Sequence, residues 1–142
     1  MRPAALAAAL ALLALACTRQ EQREREIRDE VAVVATREGP LAERAIQELK
    51  KFGRDAIPPI EAALPTASTT GRLNLVWALR VLGDPEAVPL LTQVALHDKD
   101  EAVRAEAETT LRKWATGKTV RAARATDALR QIEEKRGTGK SG

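Results

Sequence analysis

A chain of 142 residues has room for one modest domain. Its apolar fraction is 44% but its aromatic fraction only 2%, with Ala and Leu dominant. Such a core suits close-packed helices and argues against a sheet, so the chain is predicted to be all-α. The formal net charge is mild at +3, and residues 112–142 hold nine Lys/Arg against three Asp/Glu. A basic run of this kind is ordinarily a solvated helix face, with anionic lipid or nucleic acid as the charge-complementary alternatives.

The chain opens MRPAALAAALALLALAC. Arg2 gives a short positive start, and Ala4 to Ala16 form an uninterrupted apolar run, shorter than the roughly 20 residues that span a bilayer. The run fits an export signal over 1–16, and Ala14-Leu15-Ala16 meets the small-x-small rule for cleavage. Cleavage there makes Cys17 the first residue. Leu13-Ala14-Leu15-Ala16-Cys17 resembles the permissive lipobox of bacterial lipoproteins, whose strict form has Leu where Ala14 stands. The resemblance implies acylation at Cys17 and a membrane anchor. Thr18, where Asp favours inner-membrane retention in enterobacteria, implies an outer-membrane position facing the periplasm. Soluble secretion is the alternative that the departure at Ala14 leaves open.

Residues 17–38 come next. Thr18 to Glu30 is almost wholly charged and polar, which predicts a mobile tether over part of this stretch. Its residues are nevertheless good helix formers. Ile27, Val31 and Val34 fall at i, i+4, i+7 and predict a helix from about Glu24 to Thr36, ended by Gly39-Pro40.

From 39 to 136 the chain repeats, with a period of roughly thirty residues. With Gly53 aligned on Gly83, Ala45, Leu49 and Phe52 fall opposite Leu75, Leu79 and Leu82. Ala56-Ile57-Pro58 falls on Ala87-Val88-Pro89, with one extra residue in the second copy. Leu75, Val76, Leu79 and Leu82 make one helical stripe, closed by Gly83 in the left-handed conformation. Pro89 is tolerable only near a helix start, which places that start near Glu86. Val88, Leu91 and Ala95 carry the second stripe. Asp98 or Asp100 is predicted to cap the next helix, Asp98 having capping-box spacing to Glu101. Val103, Ala107, Leu111 and Trp114 carry the third stripe. Gly117 breaks it, and Ala122, Ala125, Leu129 and Ile132 carry the last. Residues 137–142 are predicted to be disordered.

Gly83-Asp84-Pro85, Ala87-Val88-Pro89 and Asp100 with Val103, Arg104, Ala107 and Leu111 resemble HEAT repeats, in the short form first associated with phycobilisome lyases. The resemblance is good over 73–114, weaker over 41–65 and absent before 39. It implies a short right-handed α-solenoid of antiparallel helix pairs whose second helices line the concave face. That face would present Glu61, Thr92, Gln93 and His97. Trp77, off the main stripe, either fills a seam between repeats or stands out as a binding anchor.

Little points to catalysis. His97 is the single histidine, there is no tyrosine, and neither a Walker loop nor a GxGxxG motif occurs. His97 stands at a helix end, as a cap would. Asp98, Asp100 and Glu101 lack the twelve-residue loop of a calcium site. The lone Cys17 has no disulfide partner and no zinc-binding companions. No catalytic residue, metal or cofactor is assigned. The expected function is a non-enzymatic, membrane-anchored scaffold for an unidentified protein partner, without nucleic acid or small-molecule substrate. A soluble secreted protein, or an accessory subunit related to HEAT-like lyases, is the alternative.

Overall fold

The computed structural model describes residues 2–139, which form seven α-helices and, among these residues, no strand. In order they are α1 (Pro3–Thr36), α2 (Pro40–Lys50), α3 (Ile57–Ala63), α4 (Thr69–Leu82), α5 (Val88–His97), α6 (Glu101–Trp114) and α7 (Val120–Thr138). Short 3₁₀ turns at Gly53–Ala56 and Pro85–Ala87 lead into α3 and α5. Gly83 closes α4 at φ 65, and Gly53 stands at φ 58, so the aligned glycines share the left-handed turn. Ser68 and Thr119 cap α4 and α7 by accepting from the Gly71 and Ala122 amides at 3.1 Å. Of the predicted tail, the last turn of α7 runs through Gly137 to Thr138, and residues 140–142 lie outside the described residues.

The helices stack in two rows. α2, α4 and α6 pack in sequence as one row. The other holds α1 against α3, and α5 against α7, while α1 also packs on α2 and α4, and α6 on α5 and α7. The stripes meet in one core: Leu75, Leu79, Leu91, Val103, Ala107 and Leu111 are fully buried. In the last stripe Ala128 is buried where Leu129 was expected, and Leu129 packs at the core's edge.

α1 departs most from expectation. It is continuous from Pro3, not from about Glu24. The charged run that reads as a tether is helical, because its Glu, Gln and Arg side chains favour helix and reach one another one turn apart. Gln20 donates to Glu24 at 3.0 Å and Gln22 to Glu26 at 3.4 Å. Arg23 pairs with Asp55 at 3.0 Å and lies 5.1 Å over the Phe52 ring. Ile27, Val31 and Val34 are buried as the spacing predicts. At the other end of α1, Asn74 of α4 donates to the carbonyls of Val34 and Arg37, at 3.4 and 3.1 Å, supplying partners that a helix C-terminus lacks. Gly71 makes this approach possible. A Cβ there would overlap the Ala35 carbonyl oxygen and stand 3.1 Å from the carbonyl carbon.

The turn between α5 and α6 also differs from expectation. Asp100 occupies the N-cap position of α6, but its side chain caps no amide. Its carboxylate accepts instead from Arg72 and from the Thr69 hydroxyl, the latter at 2.6 Å. Asp98 accepts from Arg72 Nε at 2.9 Å through one oxygen and from the Asp100 amide through the other. The capping box with Glu101 is therefore not made. Arg72, 3% exposed, completes its set on the Ala67 carbonyl at 2.8 Å. Arg104, one repeat later in register, binds the carbonyls of Asp98 and Lys99 at 2.7 and 3.1 Å. A buried guanidinium with an acceptor at each nitrogen is tolerable, and here it ties α4 to the turn before α6.

Candidate functional site

One concave surface runs across α3, α5 and α7. A groove of about 510 Å³ lies among them. α3 supplies Ile57 and Glu61; α5 supplies Val88, Thr92 and Gln93; α7 supplies Arg124, Asp127 and Gln131. A second groove of about 950 Å³ separates α1 from α3. Ile27, Val31, Pro58 and Ala63 give it an apolar floor, and Arg23, Glu24, Arg54 and Asp55 a charged rim. Ile57 and Glu86 line both, so the two grooves form one trough crossing α3.

The predicted residues fall in three places. Glu61, Thr92 and Gln93 come together in the trough. Thr92 is 7% exposed, however, and its hydroxyl donates to the Val88 carbonyl at 2.8 Å, so it shapes the groove floor. His97 is exposed at the far end of α5, and Trp77 on α4 is half-buried against the core, both away from the trough's lining. Cys17 is exposed and unpaired on α1, beyond the docked part of the helix.

Arg124, Asp127 and Gln131 escaped the sequence reading. Their signal was available: they lie one turn apart, beside the apolar stripe of α7. Arg124 also pairs with Glu86 at 2.9 Å, and both line the groove. Arg121, one of the basic residues of the run at 112–142 expected to form a solvated face, is instead half-buried. It donates to the Gly83 carbonyl at 3.0 Å and lies 5.3 Å over the Trp114 ring. Much of the basic C-terminal surplus is thus engaged within the fold.

Three carboxylates are held low by their partners. The Thr69 hydroxyl, aided by Arg72, holds the Asp100 carboxyl below the usual carboxylate range. At Glu108 burial works to raise the carboxyl, but hydrogen bonds from Arg112 and Arg136 outweigh it and hold it low. Lys51 does the same at Glu48. All three lie outside the trough's lining. The trough offers an apolar floor edged by amides and charges of both signs, a surface suited to a partner's side chains. Among the described residues, no three His, Cys, Asp or Glu gather as a metal site.

The model of the family described as HEAT repeats matches residues 32–112, more than half of the chain, and the chain belongs to this family. The match begins inside α1, ahead of residue 39 where the visible resemblance fades. No curated protein and no solved structure matches the chain significantly.

Proposed function

We propose that this HEAT-repeat protein is a non-catalytic scaffold, held to a membrane at the N-terminal end of α1 and offering the α3–α5–α7 trough to a protein partner. The observation that carries the proposal is the contrast along α1. Its C-terminal half is built into the core, whereas Leu10 and Leu12 of its apolar start are 65% and 68% exposed. An 18-residue window of this helix has a mean hydropathy of 1.4 and no buried share. Signal sequences and single membrane spans have this character, and a lipid phase removes such leucines from water at about 25 cal/mol per Å². In the finer form of the proposal, the start is an export signal, Cys17 is acylated, and Thr18 directs the protein to the outer membrane, facing the periplasm. Stacked repeats present extended surfaces to other proteins, and Glu61 and Gln93 on the trough would meet that partner.

Replacement Cys17→Ser tests the anchor. The expected outcome is loss of labelled palmitate and release from the membrane fraction; label retained in the variant refutes acylation at Cys17. The unbroken helix through Cys17 favours a second reading, an uncleaved span, which predicts no label in either protein and retention of both in the membrane. A photo-crosslinker at Gln93, but not at Lys99, is expected to capture the partner.

A further inference from the structure

The fold has two ends, and α1 determines which one meets the membrane. Cys17 and the apolar start lie on the same unbroken helix as the packed half of α1, so an anchor by lipid or by span sits at that end of the helix axis. Arg23 holds the turn after α2, through Asp55 and Phe52, at the anchor end of α1. Arg54 reaches Asp84 in the turn after α4 at 3.5 Å. Arg121 and Arg124 at the start of α7 reach Gly83 and Glu86 of that same turn. The segments 50–55, 83–87 and 112–121 therefore lie in one row, at the anchor end. The opposite end is set equally well: Gly71 and Asn74 meet the C-terminus of α1, Arg72 meets the turn at 98–100, and Arg136 reaches Glu108 and Ala95.

The two ends differ in charge. The anchor-end segments carry seven Lys/Arg and three Asp/Glu. At the opposite end, segments 36–40, 64–70, 97–101 and 133–138 carry four and six. Lys50, Lys113 and Lys118 at the anchor end are exposed and pair with no carboxylate among the described residues. The helical rise from Cys17 to Arg23 is about 9 Å, comparable with the Debye length of about 8–10 Å at ordinary salt. Arg23, level with the first turn of this row, thus stands within electrostatic reach of the surface in which α1 is anchored.

We propose that the anchor-end row, with Lys50, Lys113 and Lys118 as its free charges, seats on an anionic lipid surface and holds the trough in a set orientation beside the membrane. This rests on the membrane anchoring of α1, by lipid or by span, and adds the chemistry of the surface and the pose of the domain. An acyl anchor at Cys17 alone would let the domain swing, and a spanning helix would let it turn about the helix axis. A second, charged contact removes that freedom.

The test uses the full-length chain with vesicles of phosphatidylcholine alone, or mixed with phosphatidylglycerol. Flotation is followed by limited trypsin digestion. Lys118 and Lys99 are both exposed and lie in non-helical turns, at the anchor end and the far end respectively. On anionic vesicles, cleavage after Lys118 is expected to slow about fivefold or more relative to neutral vesicles. Cleavage after Lys99 should be unchanged, and raised salt should abolish the difference. The double variant Lys50→Glu, Lys113→Glu should lose the protection while keeping the Lys99 rate. Equal Lys118 rates on both vesicles, with the protein floating on both, overturn the seating and leave the anchor intact. Flotation on anionic vesicles only overturns the anchor and retains the charged contact. Flotation on neither overturns both.

Discussion

Replacing Gly71 with Ala tests how α4 meets α1. In an ordinary helix interior this change stabilises by up to about 1 kcal/mol, because Ala loses less backbone freedom on folding. At Gly71 the new methyl would overlap the Ala35 carbonyl oxygen and stand 3.2 Å from the Ala67 Cβ. Backbone cannot turn aside as a flexible side chain would, so α4 must move outward. Such overpacking costs about 1–3 kcal/mol. The shift also pulls on Asn74, which binds the last carbonyls of α1, and on the Ser68 cap of the same turn. A net loss of about 2 kcal/mol is expected, which lowers the unfolding temperature by about 8 °C in a domain of this size. Gly137→Ala is the control, since nothing lies within 4 Å of a Cβ there; it should be neutral or stabilise by a few tenths of a kcal/mol. Thermal unfolding followed by circular dichroism measures both. If Gly71→Ala stabilised as much as Gly137→Ala, the close approach of α4 to α1 would be wrong.

Four further outcomes follow from the same contacts. Asp98→Leu leaves the buried Arg72 guanidinium short of an acceptor and should cost about 3 kcal/mol in urea unfolding; adding Arg72→Leu should restore part of it, whereas simple additivity of the two losses would sink the clamp. Asp100 and Glu108 titrate below their unfolded values, so their stabilisation is complete above the unfolded carboxylate range near pH 4 and is lost as pH falls through their lower folded values. Melting temperature should hardly depend on these groups above about pH 5 and should fall below about pH 4, less steeply in Glu108→Gln; an unchanged slope in that variant would contradict the assignment. Arg121→Ala uncovers Trp114 and frees the Gly83 carbonyl, so Trp114 fluorescence, read in a Trp77→Phe background, should become more accessible to acrylamide. In the reciprocal background, Trp114→Phe, Trp77 emission should resist quenching, and a red-shifted, readily quenched signal would remove it from the packed seam.

How much of this was legible in the sequence follows from the range of each interaction. Helix identity, the stripes through Leu75, Leu79, Leu91, Val103 and Leu111, and the left-handed stop at Gly83 depend on neighbours three or four residues apart, and the sequence alone determined them. The repeat register was legible for the same reason, and so were Glu61 and Gln93 on the second-helix face. Local cues also misled. Asp98, Asp100 and Glu101 have capping spacing, yet Arg72, 26 residues before Asp98, takes the carboxylates because a buried cation binds them more strongly than an exposed amide does. Thr92 shares a helix with Gln93 but turns inward, since its hydroxyl can be satisfied on its own backbone. Arg124, Asp127 and Gln131 join the trough only because α7 packs on α5. The charged start of the domain looked like a tether by composition. Tertiary structure decided that it is the shaft of α1, since only packing brings Arg23 to Asp55 across 32 residues and Asn74 to Val34 across 40.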